Sequence, residues 1–247
     1  MSLLSLSGLV KRFGAIEAVS GVDLTVEPGE VVGLMGDNGA GKSTLVKMIA
    51  GNFPPDSGSI RIEDHAVRFH KPVEARQKGI EVVYQDLALC DNLTAADNVY
   101  LGRERRKLLF GFLPALNYLG MRARSRELFD ELKSETRAAD PVRRMSGGQR
   151  QAVAIARTRL AQAKLILMDE PTAAISVRQV KEVLDLIHRL KEQDIAIILI
   201  SHRMPDVFAV CDRIVVMRRG RKVADKLIRD SSPEEVTGLI TGAIDTA

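Results

Sequence analysis

An α/β fold, with a mainly parallel sheet, an antiparallel β subdomain and an α-helical subdomain, is predicted by three stretches of the sequence. Residues 36–44, GDNGAGKST, lie between an apolar run, Val31-Val32-Gly33-Leu34-Met35, and a helix-like segment, Leu45-Val46-Lys47-Met48-Ile49-Ala50. Residues 165–170, LILMDE, are four apolar positions ending in two carboxylates, the pattern of a buried strand with acids at its carboxyl end. Beyond Lys164 strand-like runs at 165–168, 195–200 and 214–217 alternate with helical segments. That alternation argues for parallel strands joined by crossover helices.

Taken in order, residues 3–10 and 22–27 have alternating or β-branched character and flank the turn KRFGAIEAVSG, which contains Phe13, so they predict antiparallel strands. Pro54-Pro55-Asp56-Ser57-Gly58-Ser59 is a turn cluster, and Ile60-Arg61-Ile62 follows it as a strand. Glu81-Val82-Val83-Tyr84 is a short β-like run ending at Gln85. Residues 94–164 turn helical, with Arg124, Glu127, Glu131 and Glu135 on a charged face beside Leu128 and Leu132. A helical subdomain over 94–164, inserted within a single domain over 1–247, is expected. The helix from Ser176 places Val177, Val180, Val183, Leu184, Ile187 and Leu190 on one face, expected to be core, and Ser176 with Gln179 has capping-box spacing. A hairpin at Arg219-Gly220 and a helix over 233–240 complete the elements.

Composition sets bounds on function. The 247 residues, 45% hydrophobic and 28% charged, suffice for a sizeable core, and a net charge of +4 is no polybasic surface, so no nucleic-acid partner is expected. Cys90 and Cys211 stand far apart without a CxxC or histidine-rich neighbourhood, which predicts free thiols in a reducing compartment. The opening MSLLSLSGLVKRF puts basic residues after the apolar ones, the wrong order for a secretory signal. Residues 108–121 form a stretch of fourteen positions without a charge, short of the roughly 20 that a spanning helix needs. A buried subdomain segment is expected there, with an apolar docking surface as the alternative.

The chemistry begins in the glycine-rich stretch Gly36-Asp37-Asn38-Gly39-Ala40-Gly41-Lys42-Ser43-Thr44. Its glycines let backbone N–H groups approach phosphate oxygens, and the helix N-terminus behind adds positive potential. Lys42 is placed to reach the β- and γ-phosphates and the Ser43 hydroxyl to help hold Mg²⁺. Asp169 and Glu170 fall at the carboxyl end of a strand, the edge of an open α/β sheet where ligands bind. Asp169 suits support of Mg²⁺, and Glu170 orientation and deprotonation of the attacking water. Ser146 can cap the helix through Ala152, Ile155 and Leu160, while Gly147 and Gly148 leave backbone N–H groups free to meet an anion.

Arg144-Met145-Ser146-Gly147-Gly148-Gln149, together with GDNGAGKST, LILMDE and Ile200-Ser201-His202, closely resembles the motif set of ATP-binding cassette proteins, from Phe13 to about Asp225. The resemblance implies the ABC ATPase fold and an ATPase that uses ATP and Mg²⁺. It implies that Phe13 stacks on adenine, that residues 36–44 hold the phosphates, and that Gln85 contacts Mg²⁺ and the attacking water. Ser146, Gly147, Gly148 and Gln149 would complete the ATP site of a second copy, and His202 would contact the γ-phosphate. One departure stands out: Ala173-Ala174-Ile175-Ser176 lacks the aspartate usual in that loop, which puts the subunit contact attributed to it in doubt.

Residues 79–89 around Gln85, continued by Asn92-Leu93-Thr94 and Leu101-Gly102-Arg103-Glu104, resemble ATPases of bacterial monosaccharide importers of fructose, ribose and xylose type, fructose most of all. That implies a head-to-tail homodimer, integral-membrane permease subunits, a sugar-binding protein acting indirectly, and a peripheral position on the cytoplasmic face of the cell membrane. The rival is a cassette ATPase acting on DNA or ribosomes. Against it, 61 positions from Gln85 to Ser146 leave no room for long coiled coils, and there is one cassette rather than two. A regulatory cassette that binds without hydrolysing is opposed by Lys42, Asp169, Glu170 and His202.

Overall fold

The computed structural model describes residues 2–109, 112–173 and 175–244. Strands β1 (Leu4–Phe13) and β2 (Ile16–Val26) pair antiparallel, with Leu4 opposite Val26 and Phe13 opposite Ile16. The predicted turn is therefore far tighter than the sequence suggested: Phe13 ends a strand, and only Gly14 and Ala15 turn, Gly14 at φ +58°. Strand β3 (Val31–Met35) is wholly buried and leads through the glycine-rich loop into α1 (Lys42–Ile49). Strands β4 (Ser57–Ile62) and β5 (His65–Val67) complete an antiparallel sheet ordered β2-β1-β4-β5. Helix α2 (Pro72–Gln77) precedes β6 (Ile80–Val83).

The region expected to be helical holds α3 (Ala95–Val99), then a hairpin of β7 (Arg106–Leu109) and β8 (Leu113–Leu116), then α4 (Tyr118–Glu131) and α5 (Gly147–Leu160). The hairpin corrects the all-helical reading, and its strands are too short for periodicity to reveal. It also corrects the expectation of burial over much of 108–121, of which residues 110 and 111 lie outside the described residues, although Met121 is buried. Phe112 is 78% exposed and Leu119 75%, with Leu108, Leu113 and Tyr118 also open to solvent. On α4 the charged face forms, Arg124 pairing with Glu127 and Glu131, while Leu128 and Leu132 are buried; the helix ends at Glu131, so Glu135 is not part of that face.

Five further strands and helices alternate: β9 (Leu165–Asp169), α6 (Val177–Lys191), β10 (Ala196–Ile200), α7 (Met204–Val210) and β11 (Arg213–Arg218). Strand β12 (Arg221–Leu227) returns antiparallel, and α8 (Pro233–Thr241) follows. The second sheet runs β12-β11-β3-β10-β9-β6, parallel except at β12. Such a sheet needs cover on both faces. Val31, Met35, Ile166, Met168, Ile197 and Leu199 face a core shared with α3 to α7, whereas Val32, Leu34, Leu165, Leu167, Ile198 and Ile200 face one shared with α1 and the antiparallel sheet.

Ser176 caps α6 with the predicted box: its hydroxyl accepts from Gln179 N, and Gln179 Oε1 accepts from Ser176 N at 2.9 Å. The predicted apolar face is right except at its start. Val177 is 85% exposed, because the first helical residue points away from the packed stripe, and Leu186 takes a place in the core instead. No helix among the described residues is long and apolar enough to cross a membrane.

Candidate functional site

Register alone gathers most of the predicted residues. Ile200 stands beside Leu34 on one side and Asp169 on the other, and Val83 stands beside Met168. Gly36, His202, Glu170 and Gln85 thus leave the carboxyl ends of four neighbouring parallel strands within two residues of one line. Gln85 is exposed just past β6.

The loop between β3 and α1 is held in its shape by neighbours on every side. Gly41 sits at φ +100° before α1, where a Cβ would collide with the carbonyl oxygen of Ala18. A Cβ at Gly36 would likewise meet the carbonyl of Met217 on β11. Only glycine fits these two positions. The Lys42 ammonium donates to the carbonyls of Gly36 at 2.6 Å and Asp37 at 2.9 Å, which hold it over the loop. Burial lowers the Lys42 pKa, against the pull of Glu170, Asp37 and Asp169. Asn38 N donates to Asp37 Oδ1 at 2.7 Å, so Asp37 braces the loop's own turn.

Asp169 is half-buried at the end of β9. Burial first, and the Glu170 charge second, raise its carboxyl above the ordinary range, with Lys42 acting in opposition. Glu170 follows in left-handed backbone at φ +49°, fixed by its N–H donating to Ile200 O at 2.9 Å. Its Oε1 lies 2.9 Å from Nδ1 of the exposed His202. Its Oε2 is buried and has no hydrogen-bond partner among the described residues. A carboxylate with one oxygen unsatisfied keeps unused hydrogen-bond acceptor capacity at this edge.

Sequence reasoning missed the clamp behind His202. Arg203 donates from its backbone N to Ser201 Oγ at 3.1 Å and from its guanidinium to Thr172 O at 3.3 Å, and it pairs with buried Asp206 at 3.2 Å. An Arg-x-x-Asp spacing at a short helix start was the one available signal. It ties the loop after Glu170 to the loop carrying His202.

Phe13, at the end of β1, is half exposed and meets Phe53 edge-on with centroids 5.5 Å apart, Lys11 lying over both rings. Its partner Ile16 lines a groove of about 470 Å³ that continues past Ala18 to Lys42, Ser43 and Thr44. Phe13 itself does not line that groove; its hairpin partner does.

Ser146, Gly147, Gly148 and Gln149 do not join them. Ser146 caps α5 as predicted, its hydroxyl accepting from Gln149 N while Gln149 Oε1 accepts from Ser146 N at 3.0 Å. This helix start lines a separate cleft of about 490 Å³ with Ser176, Gln179 and Glu182. The glycines also allow close helix approach: a Cβ at Gly147 would press on Ile175, and Gly148 is buried under the Glu182 carboxylate.

The oxygen donors Ser43, Asp169 and Gln85 suit a hard cation, and the described residues hold no cluster of three or more His, Cys, Asp or Glu side chains that would bind one unaided. Mg²⁺ is typically held through one or two carboxylates with substrate phosphates and water, and Asp169 is the carboxylate of this set.

A glycine-rich loop between strand and helix, with two carboxylates at the end of the next strand but one, defines a phosphate-loop nucleoside triphosphatase. Residues 19–173 match the family described as ABC transporter. The chain is 42% identical to "Fructose import ATP-binding protein FrcA" of Rhizobium meliloti, over 98% of this chain and 94% of that protein. It is 43% identical to "Xylose/arabinose import ATP-binding protein XylG" of Sulfolobus acidocaldarius, over 97% and 94%. A solved dimeric ATP-binding cassette in a post-hydrolysis state, bound to ADP and Pi, matches with a TM-score of 0.73 at 27% identity, over 92% of this chain and 99% of that one. The chain belongs to the ABC transporter family and is one of its ATPase cassettes.

Proposed function

We propose that this chain is the ATP-hydrolysing subunit that powers import of a simple sugar, fructose or a related monosaccharide. One observation carries the reading: Lys42, Asp169, Glu170 and His202 converge at one sheet edge in a chain alike over almost its full length to two sugar-import ATP-binding proteins.

In this reading residues 36–44 and Lys42 hold the phosphates and Phe13 stacks on adenine. Ser43, Asp169 and Gln85 hold Mg²⁺, which when bound neutralises phosphate charge. Glu170 takes the proton of the attacking water, and His202, hydrogen-bonded to one of its oxygens, orients that carboxylate and contacts the γ-phosphate. Ser146, Gly147, Gly148 and Gln149 face away from this groove in their own chain, so they complete the site of a second copy in a head-to-tail homodimer. The γ-phosphate favours the closed pair, and hydrolysis removes that preference. Residues 94–164 act as a helical subdomain, and its exposed apolar hairpin offers a surface for integral-membrane permease subunits. The chain then sits peripherally on the cytoplasmic face of the cell membrane, and a sugar-binding protein acts through the permease.

The test is affinity capture of the tagged chain from detergent-solubilised native membranes, with partners identified by mass spectrometry. Recovery of a multi-span permease is expected, and uptake assays on that permease name the sugar. Recovery of only soluble or nucleic-acid-bound partners overturns the transport reading.

A further inference from the structure

The turn between β11 and β12 consists of Arg219 at φ +49° and Gly220 at φ +80°. Two-residue hairpin turns with positive φ at both positions strongly favour Asn-Gly or Asp-Gly. Arginine has no such preference, so the backbone does not explain it. The turn is fastened to the phosphate loop: Gly220 N donates to Ala40 O at 3.0 Å, and Gly220 O accepts from Ser20 N at 2.8 Å on β2. Arg219 is exposed, and it lines the same groove as Lys42, Ser43 and Thr44. Lys42 and Arg219 are the two cations on that wall, and the one acid there, Glu17, is paired with Arg12 at 2.6 Å. Arg218 and Arg221, directly opposite each other across the hairpin, add positive charge of the same sign.

We infer that Arg219 is a further nucleotide-binding residue, whose guanidinium engages the anionic phosphate chain of the nucleoside triphosphate held by the loop at Lys42. The inference rests on the ATP-site reading above. It predicts that affinity depends on Arg219 most for the triphosphate and least for adenosine, since charge is what the guanidinium reads.

Arg219→Asn separates this role from a structural one, because asparagine suits left-handed backbone at the turn. The full chain is titrated with a fluorescent ATP analogue, with ATP, ADP and adenosine as competitors, and its melting temperature is measured in parallel. Arg219→Asn and Arg219→Gln are expected to weaken ATP binding by about 5- to 20-fold, with the melting temperature of Arg219→Asn at or above that of the parent. Arg229→Gln, at a site lining neither cleft beside the loop, is expected to leave affinity within about twofold. Unchanged ATP affinity in the Arg219 variants overturns the inference. So does an equal loss in Arg229→Gln, or a loss that tracks a lower melting temperature in Arg219→Asn. Were the parent and Lys42→Ala alike to show no saturable ATP binding, the site itself would fail, and that outcome is distinct from failure at Arg219 alone.

Discussion

Nδ1 of His202 lies 2.9 Å from Oε1 of Glu170, while Oε2 of the same carboxylate is buried without a partner. The imidazole holds one oxygen, and the other is left without a partner among the described residues. Glu170→Gln keeps the shape and removes the basicity, so turnover is expected to fall by about 10²- to 10⁴-fold with ATP binding retained. Phosphate release and equilibrium nucleotide binding measure the two quantities separately. Near-parental turnover would refute a base at Glu170.

Asp169 illustrates a cost of placing an acid at this edge. Burial and the Glu170 charge raise its folded pKa above the value in an unfolded chain. The folded state therefore holds this proton more tightly. Ionised Asp169 opposes folding above its folded pKa, and that penalty is relieved as pH falls through it. Asp169→Asn is expected to melt above the parent at roughly pH 8, with the gap closing towards roughly pH 4, while ATPase activity is lost. A variant melting at or below the parent at the alkaline end would show that the charge is not under strain.

Gly41→Ala tests the close approach of loop and hairpin. The added methyl meets Ala18 O in a backbone at φ +100°. Strain of about 1–3 kcal/mol is expected, with ATP affinity falling as the loop shifts. Parental melting and binding together would mean that the hairpin yields freely.

Asn98, on α3, is wholly buried against the segment after Gln85. Its Oδ1 accepts from Cys90 N at 2.7 Å, and its Nδ2 donates to Cys90 O and Thr94 O at 3.0 Å each. Asn98→Ala leaves backbone groups unsatisfied and should cost about 2–3 kcal/mol. Calorimetry is expected to show melting lowered by roughly 4–12 °C. An unshifted melt would mean that water replaces the amide.

The exposed hairpin gives a test that leaves the ATP site alone. Phe112→Ser combined with Leu119→Ser alters two open side chains, so stability should move by no more than about 0.5 kcal/mol per site. ATPase activity of the isolated chain is expected to be unchanged and permease recovery from membranes to fall. Undiminished recovery would assign docking to another surface.

Local residue patterns specify the phosphate loop, the acid-bearing strand, the caps at Ser146 and Ser176 and the alternation that builds the parallel sheet. Each depends on residues within a few positions of one another: glycines where side chains cannot fit, a short apolar run before Asp169, a serine three residues before a glutamine. Tertiary structure alone decided the rest. The hairpin of β7 and β8 has strands of four residues, too short to outweigh the helical pattern around it. Val177 satisfies helical spacing yet faces solvent, because a helix start need not overlie its neighbour. The clamp of Arg203 on Thr172 and the pinning of the Arg219 turn to Ala40 join residues 31 and about 180 positions apart. Chain spacing carries local conformation, whereas which distant groups meet is settled only when the sheets and helices pack and their buried polar groups must find partners.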